Sequence, residues 1–158
     1  MATLCEVIEA AGATKVETYI QSGNAVFVHG ARSAGPLAAK LAAAITKAAG
    51  FPVPVVLRTA AELAAAIADN PFPTAMTEQL HVMFCPTRPA PSAFEKLDAT
   101  AFAPDAWAIG AREVYLHLPK GMGTSKLAAS LSRIAPTKDA TTRNWRTVLT
   151  LAGMLAAR

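Results

Sequence analysis

The second half of this chain repeats the plan of its first, and that repeat restricts the available folds more than any other feature. Val55-Val56-Leu57-Arg58-Thr59 is a β-branched run that leads directly into a helical pattern over 60–68. Ala140-Thr141-Thr142-Arg143-Asn144 leads in the same way into a helical pattern over 145–157. A pair of strand-like runs and a helix-like run precede each junction. One αβ unit used twice accounts for both halves.

The first half reads α-β-β-α-β-α. Leu4, Ile8 and Ala11 recur at spacings of four and three, which predicts a helix over 2–11 with Gly12 as its stop. Residues 15–21 alternate, and Asn24–Val28 is the next strand; Gln21-Ser22-Gly23-Asn24 between them is a tight-turn signature, since Gly and Asn accept positive φ. Leu37, Leu41, Ile45 and Ala48 form one face of a helix closed by Gly50. Residues 53–58 read as a strand in which Pro54 marks an edge or a strand start. Asp69-Asn70-Pro71-Phe72-Pro73 ends the next helix, and 69–79 is the natural linker.

The second half reads β-α-β-β-α-β-α. Strands are expected over 80–85, 106–110, 113–118 and 138–143, with a short helix over 92–97 and another carrying Leu127, Leu131 and Ile134. The β-α-β-β-α-β order is that of the split ferredoxin-like unit, whose first strand lies between the third and the fourth. The expected fold is α+β, with tandem ferredoxin-like units over 1–74 and 75–158. The first unit lacks its opening strand, which leaves a slot beside 24–28 and 53–58 and an edge through which copies of the chain could pair.

Composition sets limits on function. Apolar residues make up 53% of the chain but aromatics only 6%, so small-residue helices rather than a disordered chain are expected. No apolar run approaches the roughly 20 residues of a membrane span, and the N-terminus has no signal-peptide pattern. Cys5 and Cys85 stand far apart without metal-ligand spacing, which points to reduced thiols and a cytoplasmic protein. His29, His81 and His117 are likewise isolated, so neither metal nor cofactor is expected. The net charge of +4 favours acidic partners such as phosphates or nucleic acid.

Several segments carry a resemblance. Tyr19-Ile20-Gln21-Ser22-Gly23-Asn24-Ala25-Val26-Phe27, Arg112-Glu113-Val114-Tyr115-Leu116-His117-Leu118-Pro119, Ser125-Lys126-Leu127 and Ala140-Thr141-Thr142-Arg143-Asn144-Trp145 are similar, in order, to signature segments of the bacterial family called domain of unknown function 1697. Its members usually begin earlier, with an apolar strand and an Arg-Gly-Ile-Asn-Val-Gly-Gly-like turn. The resemblance thus names the strand that the topology asks for and implies that Met1 is an internal start or that the chain is truncated. It transfers no activity and no catalytic residue.

Three places could hold chemistry. In Lys120-Gly121-Met122-Gly123-Thr124-Ser125-Lys126, glycines precede a helix start whose free N–H groups favour anions, with Lys126 in the first turn. Gly121, Gly123, Ser125 and Lys126 are the candidates there; the bland reading is a helix capped by Thr124 or Ser125. In Thr141-Thr142-Arg143-Asn144-Trp145, the groups of Thr142, Arg143 and Asn144 suit phosphate contacts and Trp145 could stack on a base. The bland reading makes Asn144 a cap and packs Trp145. In the first half, Gln21, Ser22 and Asn24 could read a ligand edge or simply build a turn, and Arg58 echoes Arg143. No nucleophile, base and orienter stand together. The leading expectation is a non-enzymatic module for a phosphate-bearing ligand or nucleic acid. The alternatives are a small enzyme acting on a phosphorylated metabolite in a crevice between the halves, or a structural protein.

Overall fold

The computed structural model describes residues 2–21, 23–134 and 139–158. It is mixed α/β with two antiparallel sheets, one of two strands and one of four. The chain divides into two compact units: unit 1 comprises residues 1–58 and 153–158, and unit 2 comprises 59–152. This division falls before the 74/75 boundary suggested by the Pro-rich stretch. The helix after Thr59 belongs with the second sheet, because the Tyr115 hydroxyl donates to the Ala66 carbonyl at 2.7 Å and Arg112 pairs with Glu62 at 2.9 Å. A helix packs where its apolar face finds partners, and a proline run after it does not decide that.

Unit 1 opens with α1 (Ala2–Ala10), which stops at Gly12 with φ of 102°. Strands β1 (Thr14–Tyr19) and β2 (Asn24–Val28) pair antiparallel, with a register shift between Thr14 and Glu17 where Lys15 takes a φ of 51°. Among the described residues of the turn, Ile20 and Gly23 take positive φ angles, 50° and 76°, and Asn24 is the first residue of β2, as its strand reading expects. α2 (Ala34–Ala49) ends at Gly50 in the left-handed conformation. Ile8, Ala11, Ala13 and Leu41 form the buried core, against which Ala25 and Phe27 of β2 and Val55 and Leu57 also pack.

The strand expected over 53–58 does not form. Its side chains line the core, but β1 pairs with β2 only. The backbone N–H groups of Val55, Val56 and Leu57 find no partner among the described residues. β-branched composition makes a segment extended; a strand also needs a neighbour to share a ladder with. Hydrogen exchange at these three amides should therefore run at least about a thousandfold faster than at Tyr115 and Leu116 in the second sheet. Equal protection at the two places would contradict an unpaired 55–57 backbone.

Unit 2 begins with α3 (Ala60–Ala68), whose start is a full capping box: Glu62 N donates to Thr59 Oγ1 and Thr59 N donates to Glu62 Oε2. The four-stranded sheet contains β3 (Leu80–Phe84), β4 (Ala106–Ile109), β5 (Glu113–His117) and β6 (Thr141–Asn144), in the order β4-β5-β3-β6. The first strand of the unit thus lies between its third and fourth. The single helix expected over 92–97 is instead a 3-10 turn (Pro91–Phe94) and the short α4 (Ala99–Phe102), capped by Asp98. Pro91 at the first position suits such a tight start. The last expected strand, 138–143, is described from Asp139 onward and pairs over Thr141–Asn144; Lys138 lies outside the described residues.

One face of this sheet builds an apolar cluster. Met83, Cys85, Val114, Leu116, Leu118, Phe94, Leu127 and Leu131 are buried together. Leu127 and Leu131 come from α5 (Lys126–Leu131), and α6 (Trp145–Ala156) closes the chain. No helix among the described residues is long and apolar enough to cross a membrane.

Candidate ligand site at one end of the second sheet

Register decides what the second sheet gathers at its ends. Leu80 lies opposite His117, His81 opposite Asn144, and Ala106 opposite His117. The starts of β3 and β4 and the ends of β5 and β6 therefore meet at one end. The 69–79 segment enters there, the 118–125 loop leaves there, and α6 starts there. Neighbouring strands are about 4.8 Å apart, so the β5 and β6 exits are separated by roughly 10 Å.

The loop leaving β5 is closed by its own bonds. Gly121 takes a φ of 87° and its N–H donates to the Leu118 carbonyl at 2.9 Å. A Cβ on Gly121 would meet nothing within 4 Å, so glycine is required there for its φ and not for room. Gly123 shows neither need, so only one of the two glycines is structurally demanded. The Thr124 hydroxyl donates to the Lys120 carbonyl at 2.9 Å. Ser125 is buried, and its Oγ accepts from the Ala128 N–H at 2.9 Å and donates to Asp105 Oδ2 at 2.6 Å. With both hydroxyls bonded within the protein, the exposed Lys120 and Lys126 are the charged groups the loop presents to solvent. α5 itself has only 6 residues, and Ser125 already caps its first turn.

The β6–α6 junction is occupied by structural duties. Asn144 Oδ1 accepts from the Thr147 N–H at 2.8 Å, an N-cap. Trp145 is 8% exposed. Arg143 Nη1 donates to the Thr142 carbonyl at 2.8 Å and to the Thr141 hydroxyl. Burial pushes the guanidinium below its ordinary value. The echo read between Arg58 and Arg143 has a local counterpart: Arg58 Nη1 donates to the carbonyl of Leu57 at 2.9 Å, again the preceding residue, and again the next residue caps a helix. Arg58, Gln21 and Asn24 lie in unit 1, whereas the other candidates lie in unit 2. Gln21 is exposed in the hairpin turn. Asn24 is buried and its Nδ2 donates to the Tyr19 carbonyl at 3.2 Å. Ser22 lies outside the described residues.

Sequence reasoning missed a cup at this same end. Residues 69–79 are a folded segment: Phe72 N–H donates to Asn70 Oδ1 at 2.9 Å, and two further turns close through Ala75 N–H and Gln79 N–H. With His117 they shape an open depression of about 320 Å³, lined by Pro71, Phe72, Pro73, Met76 and Gln79 among others. Gln79 Nε2 donates to the Pro119 carbonyl at 3.4 Å, so its Oε1 faces His117 Nε2 at 3.3 Å. An amide oxygen only accepts, so His117 carries its proton on Nε2. The Phe72 and His117 rings lie 5.7 Å apart, tilted by 34°. On the neighbouring strand, burial pushes the His81 imidazole below its ordinary value, against a smaller opposing effect of the Gln79 backbone. The available signals were Pro71 and Pro73 around an apolar Phe72, and a lone histidine at a strand end.

A family profile described as "Protein of unknown function (DUF1697)" matches residues 1–115. The chain belongs to the DUF1697 family. No curated protein matches it. A solved structure of similar fold is the conserved bacterial protein SP0830 from Streptococcus pneumoniae, 20% identical, with a TM-score of 0.79; the alignment covers 99% of this chain and 88% of that one. One of the DUF1697-like segments lies wholly within the matched residues, and a second, Arg112–Pro119, begins there and runs past them. Tyr19–Phe27 is the β1–β2 hairpin, and Arg112 at the head of β5 holds Glu62 at 2.9 Å and the Pro86 carbonyl at 3.0 Å. The other two, at the start of α5 and at the β6–α6 junction, lie beyond them and at the collecting end of the sheet. Among the described residues, no group of three or more His, Cys, Asp or Glu is placed to hold a metal ion.

Proposed function

We propose that this DUF1697 chain is a non-enzymatic, cytoplasmic module that binds a phosphate-bearing ligand at the Lys120–Lys126 loop. The observation that carries the reading is the loop's organisation. Its hydroxyls and backbone are bonded internally and two exposed lysines stand at its ends, so an anion has to order the two lysine side chains but not the loop that carries them. A small molecule suits this site better than a nucleic acid, because buried Trp145 offers no stacking surface at the junction. The four strands in the order β4-β5-β3-β6 support a ferredoxin-like plan for unit 2. The N–H groups of residues 55–57, which find no partner among the described residues, support the same plan in unit 1, with room for a further strand, including one from a second copy.

A double substitution tests the ligand reading. Lys120→Ala with Lys126→Ala should weaken pyrophosphate binding about tenfold or more, measured by calorimetry at low salt. The melting temperature should move by no more than about 2 °C, because both side chains are exposed. Unchanged affinity in the double variant would remove the loop from the account.

A further inference from the structure

The cup beside the loop adds an aromatic ring, which the loop lacks. Polar and apolar atoms share its lining about equally; the apolar part comes from Pro71, Pro73, the Phe72 ring and the Met76 side chain. Met76 is 62% exposed, among the most solvent-accessible large apolar residues of the chain. Its polar groups are the Gln79 amide and the His117 imidazole, already bonded to each other. A volume of about 320 Å³ is at the small end of ligand pockets, room for one ring system and little more. A thioether and an aromatic face are both good neighbours for a flat ring. The cup is also tied to the loop covalently and by a bond. Gln79 Nε2 holds the Pro119 carbonyl, and the next residue is Lys120.

We infer that the cup receives the organic part of the ligand whose phosphate the loop holds, and that this part is a single aromatic ring: unit 2 is a site for small aryl phosphates. The inference rests on the loop reading above and adds the ligand's class to it. Phe72, Met76 and the two prolines offer apolar contact to the ring, while the Lys120 and Lys126 ammonium groups complement the dianion. His117 sets a polar edge against which a ring substituent that accepts or donates a hydrogen bond is positioned.

Phenyl phosphate and inorganic phosphate, titrated into the full chain and followed by calorimetry, test this. Phenyl phosphate should bind about tenfold or more tightly than inorganic phosphate. Phe72→Ala and, separately, Met76→Asp should each reduce that preference to about twofold while leaving inorganic phosphate affinity unchanged. Met76 is exposed, so its variant keeps the fold even if the half-buried Phe72 variant does not. Equal affinity of the two probes would overturn the cup and leave the loop reading standing. A preference for phenyl phosphate that survives Met76→Asp and Phe72→Ala in folded protein would place the ring elsewhere and also overturn it. No binding of either probe at millimolar concentration would overturn both readings together.

Discussion

Trp145→Ala will lower the unfolding free energy by about 3–5 kcal/mol, the cost of deleting a large aromatic side chain from a packed site. Trp145 is 8% exposed at the first turn of α6, followed by the buried Thr147 and Val148 and preceded by the Asn144 cap. Trp145→Phe, which keeps a ring in place, will cost less, about 1–2 kcal/mol. Urea denaturation of the two variants checks the pair. A stacking residue would behave otherwise: Trp145→Ala would leave stability near that of the unchanged protein and weaken oligonucleotide binding. The same logic covers Arg143, whose Nη1 is bonded to Thr141 and Thr142. Its loss will register first as lost stability.

Tyr115 will make the fold sensitive to alkali. Its side chain is 2% exposed and its hydroxyl donates to the Ala66 carbonyl at 2.7 Å. Burial, and then the negative charges of Glu113 and Asp69, push its pKa up to about 12. The unfolded chain releases this proton near pH 10, two units earlier. Between those values the unfolded state binds fewer protons than the native state, so stability falls as pH rises. The contribution is intact below about pH 10 and is lost as pH rises through about 12. The loss amounts to about 1–3 kcal/mol, read as a falling urea midpoint from pH 9.5 to 11.5. Tyr115→Phe should remove this pH dependence and cost about 1 kcal/mol at neutral pH for the lost hydrogen bond. An alkaline slope that persists in Tyr115→Phe would assign it to other groups.

Much of unit 2 was legible because its elements repeat at clear periods. The alternation around Gly110 gave β4 and β5, and Leu127 and Leu131 marked the buried face of α5. Ser125 and Asn144 as caps were readable from residue type and position, since a hydroxyl or amide before an apolar helical run meets the free N–H groups of the first turn. The state of 53–58 was not readable. Val55 and Leu57 have the composition of a strand, yet no local signal reports whether a partner lies alongside. The boundary at Thr59 was obscured for a similar reason. The bonds that hold α3 to the second sheet, Glu62 to Arg112 and Ala66 to Tyr115, join residues about fifty positions apart, 62 with 112 and 66 with 115. The cup was hidden because 69–79 has loop composition; that it folds over His117 depends on strand register, which Leu80 opposite His117 sets.

The central claim is that ligands meet this protein at one end of the second sheet. Backbone amide shifts followed by NMR during a phenyl phosphate titration at low salt measure this most directly. The account expects saturable shifts confined to residues 71–79 and 117–126, with 141–145 and the unit 1 turn near Gln21 little affected. Shifts centred on the Gln21 turn or on Arg58, or weak unsaturable shifts spread over every exposed lysine, would contradict it.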